Sequence, residues 1–208
     1  MRGNSQLSFG APCVAFDLDG TLLRSEPLVR QVLADAAEDQ GLELGFEGES
    51  PVHLLGMTSE DFYRGALRPE DSDRWEDLRL AARDRYAVYM ESRAELYEGV
   101  EGTLTALRTR GYRLLVCTNA GERYVRAALD ATGISDRFER IWWNPDGLTP
   151  KSTVLGRAVR ETGCGPSIMV GDRLMDMDAA RAVGARAIGA RYGYGLEHEL
   201  EGADAIID

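Results

Sequence analysis

Four times in this chain an amphipathic helical stretch stops at a glycine, with a short apolar run beyond it. Thr103 to Arg110 stops at Gly111, Arg123 to Thr132 at Gly133, Ser152 to Thr162 at Gly163, and Asp176 to Val183 at Gly184. Glycine ends helices because it enters the left-handed region without a side-chain clash. The apolar runs are Cys13–Phe16, 114–117, 141–143, 168–170, Arg186–Ala190 and 205–207. Each is too short for a helix and reads as a buried strand. Helix, glycine, strand, repeated, is the rhythm of an α/β protein with a doubly wound parallel (Rossmann-like) sheet.

The rhythm breaks once. Between Arg24 and Glu98 the pattern is helical, with amphipathic stretches over 28–40, 61–67 and 73–94 and no clear strand. The expected organisation is a sheet domain from 1–23 and 99–208, with a small inserted α-helical domain from 24–98. Its hinges fall near Arg24–Glu26 and Leu96–Gly99.

In such a sheet, ligands bind at the carboxyl ends of the strands. The first strand is followed by Asp17-Leu18-Asp19-Gly20-Thr21, the second by Thr118-Asn119, and the fourth by Gly171-Asp172-Arg173-Leu174-Met175-Asp176. Lys151 opens the helix that feeds the fourth strand. Each piece alone also reads as ordinary structure: an Asp-Gly turn, a helix cap, an acidic first turn. Together they put Asp17, Asp19, Asp172, Asp176, Thr118, Asn119 and Lys151 on one edge.

Composition narrows the partners. The formal net charge of −11 opposes binding to nucleic acid or to anionic membranes. No apolar run reaches the length of a membrane span, and Met1–Gly10 has no apolar segment of a secretory signal. Cys13, Cys117 and Cys164 are odd in number, far apart and set in apolar surroundings. They read as small buried hydrophobes in a cytoplasmic protein. His53 and His198 are isolated, which argues against a zinc site. Among 24 basic residues only Lys151 is lysine. A compact ammonium makes a point contact with phosphate that a planar guanidinium does not.

Clustered carboxylates are tolerated around a hard cation, and Mg²⁺ prefers oxygen ligands. With lysine and threonine donors opposite, they form a pocket for a phosphoryl group. Asp17 would attack phosphorus, and Asp19 would act as acid and then base.

The segments 14–22, 115–119, Lys151, and 170–176 with Ala179-Ala180-Arg181-Ala182-Val183-Gly184 resemble, in order, motifs I to IV of the haloacid dehalogenase superfamily. The helical insert after motif I is similar to that family's C1 cap. Gly99-Val100 and Tyr192-Gly193-Tyr194-Gly195 resemble its phosphoglycolate-phosphatase-like branch. The resemblance implies a Mg²⁺-dependent phosphatase acting on a small phosphorylated metabolite, as a monomer or homodimer. It implies Asp17 as nucleophile and metal ligand, and Asp19 as acid/base with its carbonyl on the metal. It implies Thr118, Asn119 and Lys151 as phosphate binders, and Asp172 and Asp176 at the metal. The sequence departs from the family pattern at Ser152 after the lysine, at Arg173 in motif IV, and at Arg24 before Ser25. Gly56-Met57-Thr58 is the candidate substrate-facing loop of the insert, whereas Arg64 and Arg68 read first as surface charge. Of Trp142 and Trp143, at least one is expected in the core.

Other readings stay open. A phosphomutase would use the same residues. A dehalogenase needs one aspartate and no metal, so Asp19, Asp172 and Asp176 argue against it. A phospho-accepting signalling module would leave the helical insert unexplained.

Overall fold

The computed structural model describes residues 10–46, 50–144, 149–165 and 167–208. Most of the opening segment read for a secretory signal, residues 1–9, lies outside them. Six parallel strands form one sheet in the order β3-β2-β1-β4-β5-β6. They are β1 Cys13–Phe16, β2 Arg113–Cys117, β3 Arg140–Trp142, β4 Ser167–Gly171, β5 Arg186–Ala190 and β6 Ala205–Ile207. All six apolar runs are strands, each within a residue of the expected bounds. The chain winds outward from β1 in one direction and from β4 in the other, so the topological switch lies between them.

The central strands β1 and β2 are buried on both faces, as inner parallel strands are, whereas the edge strand β6 is exposed. Side chains alternate along β1. Val14 and Phe16 join one apolar cluster with Leu114, Val116, Leu104, Val125 and Leu129. Cys13 and Ala15 join another with Leu115, Met169, Leu155, Ala158 and Ala180. The first cluster is covered by α4 (Val100–Thr109) and α5 (Glu122–Ala131), the second by α6 (Lys151–Thr162) and α7 (Leu174–Val183). Burying one such leucine side chain contributes about 1.5–3 kcal/mol.

The insert holds α1 (Glu26–Gln40), α2 (Ser59–Ala66) and α3 (Trp75–Arg93), with 3-10 turns at Pro51–Leu54 and Pro69–Arg74. The third helix starts later than expected because Pro69–Arg74 forms the tighter turn first. In α3, Leu78, Ala82, Tyr86 and Met90 recur every fourth residue and form its buried stripe. That stripe belongs to the same cluster as Val14 and Phe16, so the insert and one sheet face share a core. Its two connecting strands run side by side. Arg24 N donates to Glu95 O at 2.8 Å, and Tyr97 N to Leu22 O at 3.0 Å.

The cysteines require a correction. Cys13 and Cys164 form a disulfide, Cα to Cα 5.7 Å, across a sequence separation of 151. The β1 start and the turn after α6 bring two distant thiols together, which spacing along the sequence does not show. Cysteine usage therefore no longer supports the cytoplasmic expectation. Cys117 is free and buried, its thiol pushed up to about 12 by burial. Among the described residues, no helix is long and apolar enough to cross a membrane.

Candidate active site at the carboxyl edge of the sheet

Asp17 follows β1 directly, held by its backbone N–H to Val170 O at 2.9 Å. Asp172 follows β4, the neighbouring strand, so the switch point sets these carboxylates side by side. The chain then turns sharply at Gly20, whose φ of 79° lies in the left-handed region. A Cβ there would meet Asp172 Oδ2 at 2.3 Å, so only glycine admits this approach. Thr21 Oγ1 donates to Asp172 Oδ1 at 3.0 Å, and Tyr194 N donates to Asp172 Oδ2 at 2.8 Å. Asp176, in the first turn of α7, accepts from Arg173 N at 3.0 Å. A Cβ on Gly171 would meet Asp176 Cγ at 2.2 Å.

Lys151, at the start of α6, reaches into this group. Its Nζ lies 2.7 Å from Asp17 Oδ1 and 2.5 Å from Asp176 Oδ1, with all three side chains buried. Burial works against the ammonium, yet Asp17 and Asp176 outweigh it and raise its pKa. Lys151 is thus charged at any working pH. One ammonium faces three carboxylates. Burial, then the neighbouring acids, raises Asp172, while burial raises Asp176 against the pull of Lys151.

That imbalance is what a divalent cation would resolve. Asp17, Asp172 and Asp176 each offer a carboxylate oxygen, all within 4.8 Å of one another. Asp17 Oδ2 is buried with no hydrogen-bond partner among the described residues. An all-oxygen donor set with an unsatisfied carboxylate oxygen fits Mg²⁺.

Asp19 stands apart from the triad. Its Oδ1 accepts a hydrogen bond from the Tyr124 hydroxyl at 2.6 Å, and burial raises its pKa to about 6. Thr118 is buried after β2, its Oγ1 accepting from Ala120 N at 3.1 Å. Asn119 sits beside it, but its Nδ2 donates to Gly56 O at 2.8 Å and contacts Met175 Sδ at 3.0 Å. Asp19, Thr118 and Asn119 line a cleft of about 270 Å³ whose opposite wall includes Gly56, Met57 and Tyr86. Gly56 and Met57 thus share this cleft with Asp19, Thr118 and Asn119.

Arg173 is buried and spans core and insert. It pairs with Glu199 at 2.9 Å and donates to the carbonyls of Leu55 and His53. Arg64 pairs with Glu60 and Asp73, and Arg68 with Glu43, all partly exposed, in keeping with surface charge. Trp142 packs on the second core cluster, and Trp143 on the first and under Arg126. The sequence reading missed Tyr124. It lies six residues past Thr118, and only the fold shows that the first turn of α5 reaches Asp19.

Residues 11–184 match the family model of haloacid dehalogenase-like hydrolases. A phosphoglycolate phosphatase of Pseudomonas putida is 33% identical, over 100% of this chain and 81% of its own length. The tyrosine-protein kinase PtkA of Mycobacterium tuberculosis is 32% identical, over 88% of this chain and 62% of its own. CbbY from Rhodobacter sphaeroides, solved in complex with phosphate, superposes with a TM-score of 0.79 at 26% identity, covering 95% of this chain and 94% of that one. The fold is a doubly wound parallel α/β sheet, and the chain belongs to the haloacid dehalogenase-like hydrolase family.

Proposed function

We propose that this hydrolase is a Mg²⁺-dependent phosphatase that cleaves a small phosphate monoester through an aspartyl-phosphate on Asp17. The observation that carries this reading is the buried group of Asp17, Asp172 and Asp176 around Lys151, beside a cleft lined by Asp19 and Thr118. Relatives named for phosphoglycolate hydrolysis support a small anionic ester as substrate.

Asp17, Asp172 and Asp176 would hold the cation, joined by the backbone carbonyl of Asp19. When bound, Mg²⁺ supplies positive charge that screens an anionic nucleophile from an anionic substrate. Thr118 and Lys151 would hold the phosphoryl oxygens as charge develops, with Asn119 beside them bonded to Gly56 O. An Asp17 oxygen forms a bond to phosphorus while the ester P–O bond breaks, and the leaving oxygen takes a proton from Asp19. Asp19, now a carboxylate, accepts a proton from water as the water oxygen bonds to phosphorus. The bond to Asp17 then breaks and frees phosphate. A carboxyl raised to about 6 by burial suits both roles near neutral pH. Residues 24–98 serve as a cap that closes the cleft and excludes water.

The test is phosphate release from a panel of monoesters, with Mg²⁺ or EDTA, for wild type and Asp17→Asn. The substitution keeps the side chain's shape and removes its charge. Release that needs both Mg²⁺ and Asp17 is expected. Release that persists in Asp17→Asn would rule out the covalent route.

A further inference from the structure

Tyr124 donates a hydrogen bond to the Asp19 carboxylate from across the cleft, 105 residues away in sequence, and Ser25 also interacts with that carboxylate. Its hydroxyl donates to Oδ1 at 2.6 Å, short enough to fix that oxygen. The ring is itself fixed from the insert. Tyr86 of α3 meets it edge-on, centroids 5.0 Å apart at 81°. One residue before Tyr124, Arg123 pairs with Asp84 of α3 at 2.7 Å, tying the same two helices together. Tyr86, Tyr124 and Asp19 all line the cleft.

We propose that Tyr124 is a positioning residue for Asp19. Its hydroxyl occupies Oδ1, so the proton that Asp19 delivers sits on Oδ2 and has one direction to go. A protonated carboxyl carries a single O–H, and either oxygen can bear it. A donor locked onto one oxygen selects the other. This inference rests on the proposed role of Asp19 as acid and base. It goes further by naming the group that orients that proton, and by making a cap residue, Tyr86, part of what holds it.

A buried phenol can also merely satisfy its own hydroxyl on a nearby acceptor. The two differ in which esters they affect. An alkyl phosphate expels an alkoxide that needs the proton. p-Nitrophenyl phosphate expels a stable phenolate that does not.

The experiment compares wild type with Tyr124→Phe, which keeps the ring against Tyr86 and removes only the hydroxyl. First-turnover release is measured by rapid quench on the best alkyl phosphate of the panel and on p-nitrophenyl phosphate. General acid catalysis contributes on the order of 10²–10⁴-fold, and a misdirected acid loses part of it. The expected result is a loss of about tenfold on the alkyl ester, with KM within about twofold and the nitrophenol burst unchanged. Equal losses on both esters would overturn the proposal, because a loosened fold acts alike on both. No loss on either would overturn it too. Wild type that turns over neither ester would instead refute the phosphatase reading itself, and the Tyr124 inference with it.

Discussion

Removing the only ammonium from the buried carboxylate group should expose what that group costs. In Lys151→Met the side chain keeps most of its volume and loses its charge. Asp17 and Asp176 then lose contacts of 2.7 and 2.5 Å to Nζ in a site closed to solvent. Breaking a buried pair by deleting one partner costs about 3–5 kcal/mol. For a chain of this size each kcal/mol lowers Tm by about 2–4 °C, so a drop of roughly 10 °C is expected in EDTA at pH 8. The cost should depend on pH with a definite sign. Burial already raises Asp176 to about 6 from an ordinary 3.8, and losing Lys151 raises it further. A carboxyl whose folded pKa is raised contributes stability that is present below the unfolded pKa and lost as pH rises through the folded one. At pH 5 Asp176 of the variant takes up a proton, and the Tm drop should shrink to about half. Mg²⁺ at pH 8 should recover part of it by replacing the missing charge. Calorimetry at both pH values, with EDTA or Mg²⁺, measures this. An equal drop at pH 5 and pH 8 would refute the electrostatic account and leave only a packing defect.

Two further outcomes are expected. Arg173→Ala should lower stability by about 1–3 kcal/mol, because the Leu55 carbonyl loses a buried charged donor. Hydrogen exchange should rise at the amides of residues 53–57 more than on the sheet. Reducing the Cys13–Cys164 bond, which closes a long loop, should cost about 2–4 kcal/mol. A melt with and without reductant reads it, and an unchanged Tm would refute the stabilising role.

The sheet was legible because its signals are local. A buried strand such as 114–117 and a glycine stop such as Gly163, with its φ of 62°, act within a few residues of themselves. The same holds for the site's carboxylates. Asp17, Asp172 and Asp176 stand at or near strand ends, and parallel pairing of β1 with β4 brings them together once the topology is known. Even the lysine follows, because the start of α6 must lie on that same edge. The cysteine pair was illegible for the opposite reason. Nothing near Cys13 or Cys164 encodes the other, and only the meeting of β1 with the turn after α6 joins them.

The remaining contacts share a direction that spacing does not encode. Asn119, beside the expected phosphate site, donates from its amide nitrogen to Gly56 O of the insert. Arg173, which departs from its family's pattern, reaches Leu55 and His53. Tyr124 grips Asp19 while its ring leans on Tyr86. Each takes a side chain next to the reactive edge and attaches it to the helical block above. The insert's buried stripe already shares a core with one face of the sheet. Seating the insert and ordering the polar edge are therefore linked. A change that lifts the 53–57 turn withdraws carbonyl acceptors from Arg173 and Asn119 together, and one that tilts α3 moves the ring behind the Asp19 hydrogen bond. The site's geometry is set by sheet and insert jointly, although the carboxylates come from the sheet edge alone.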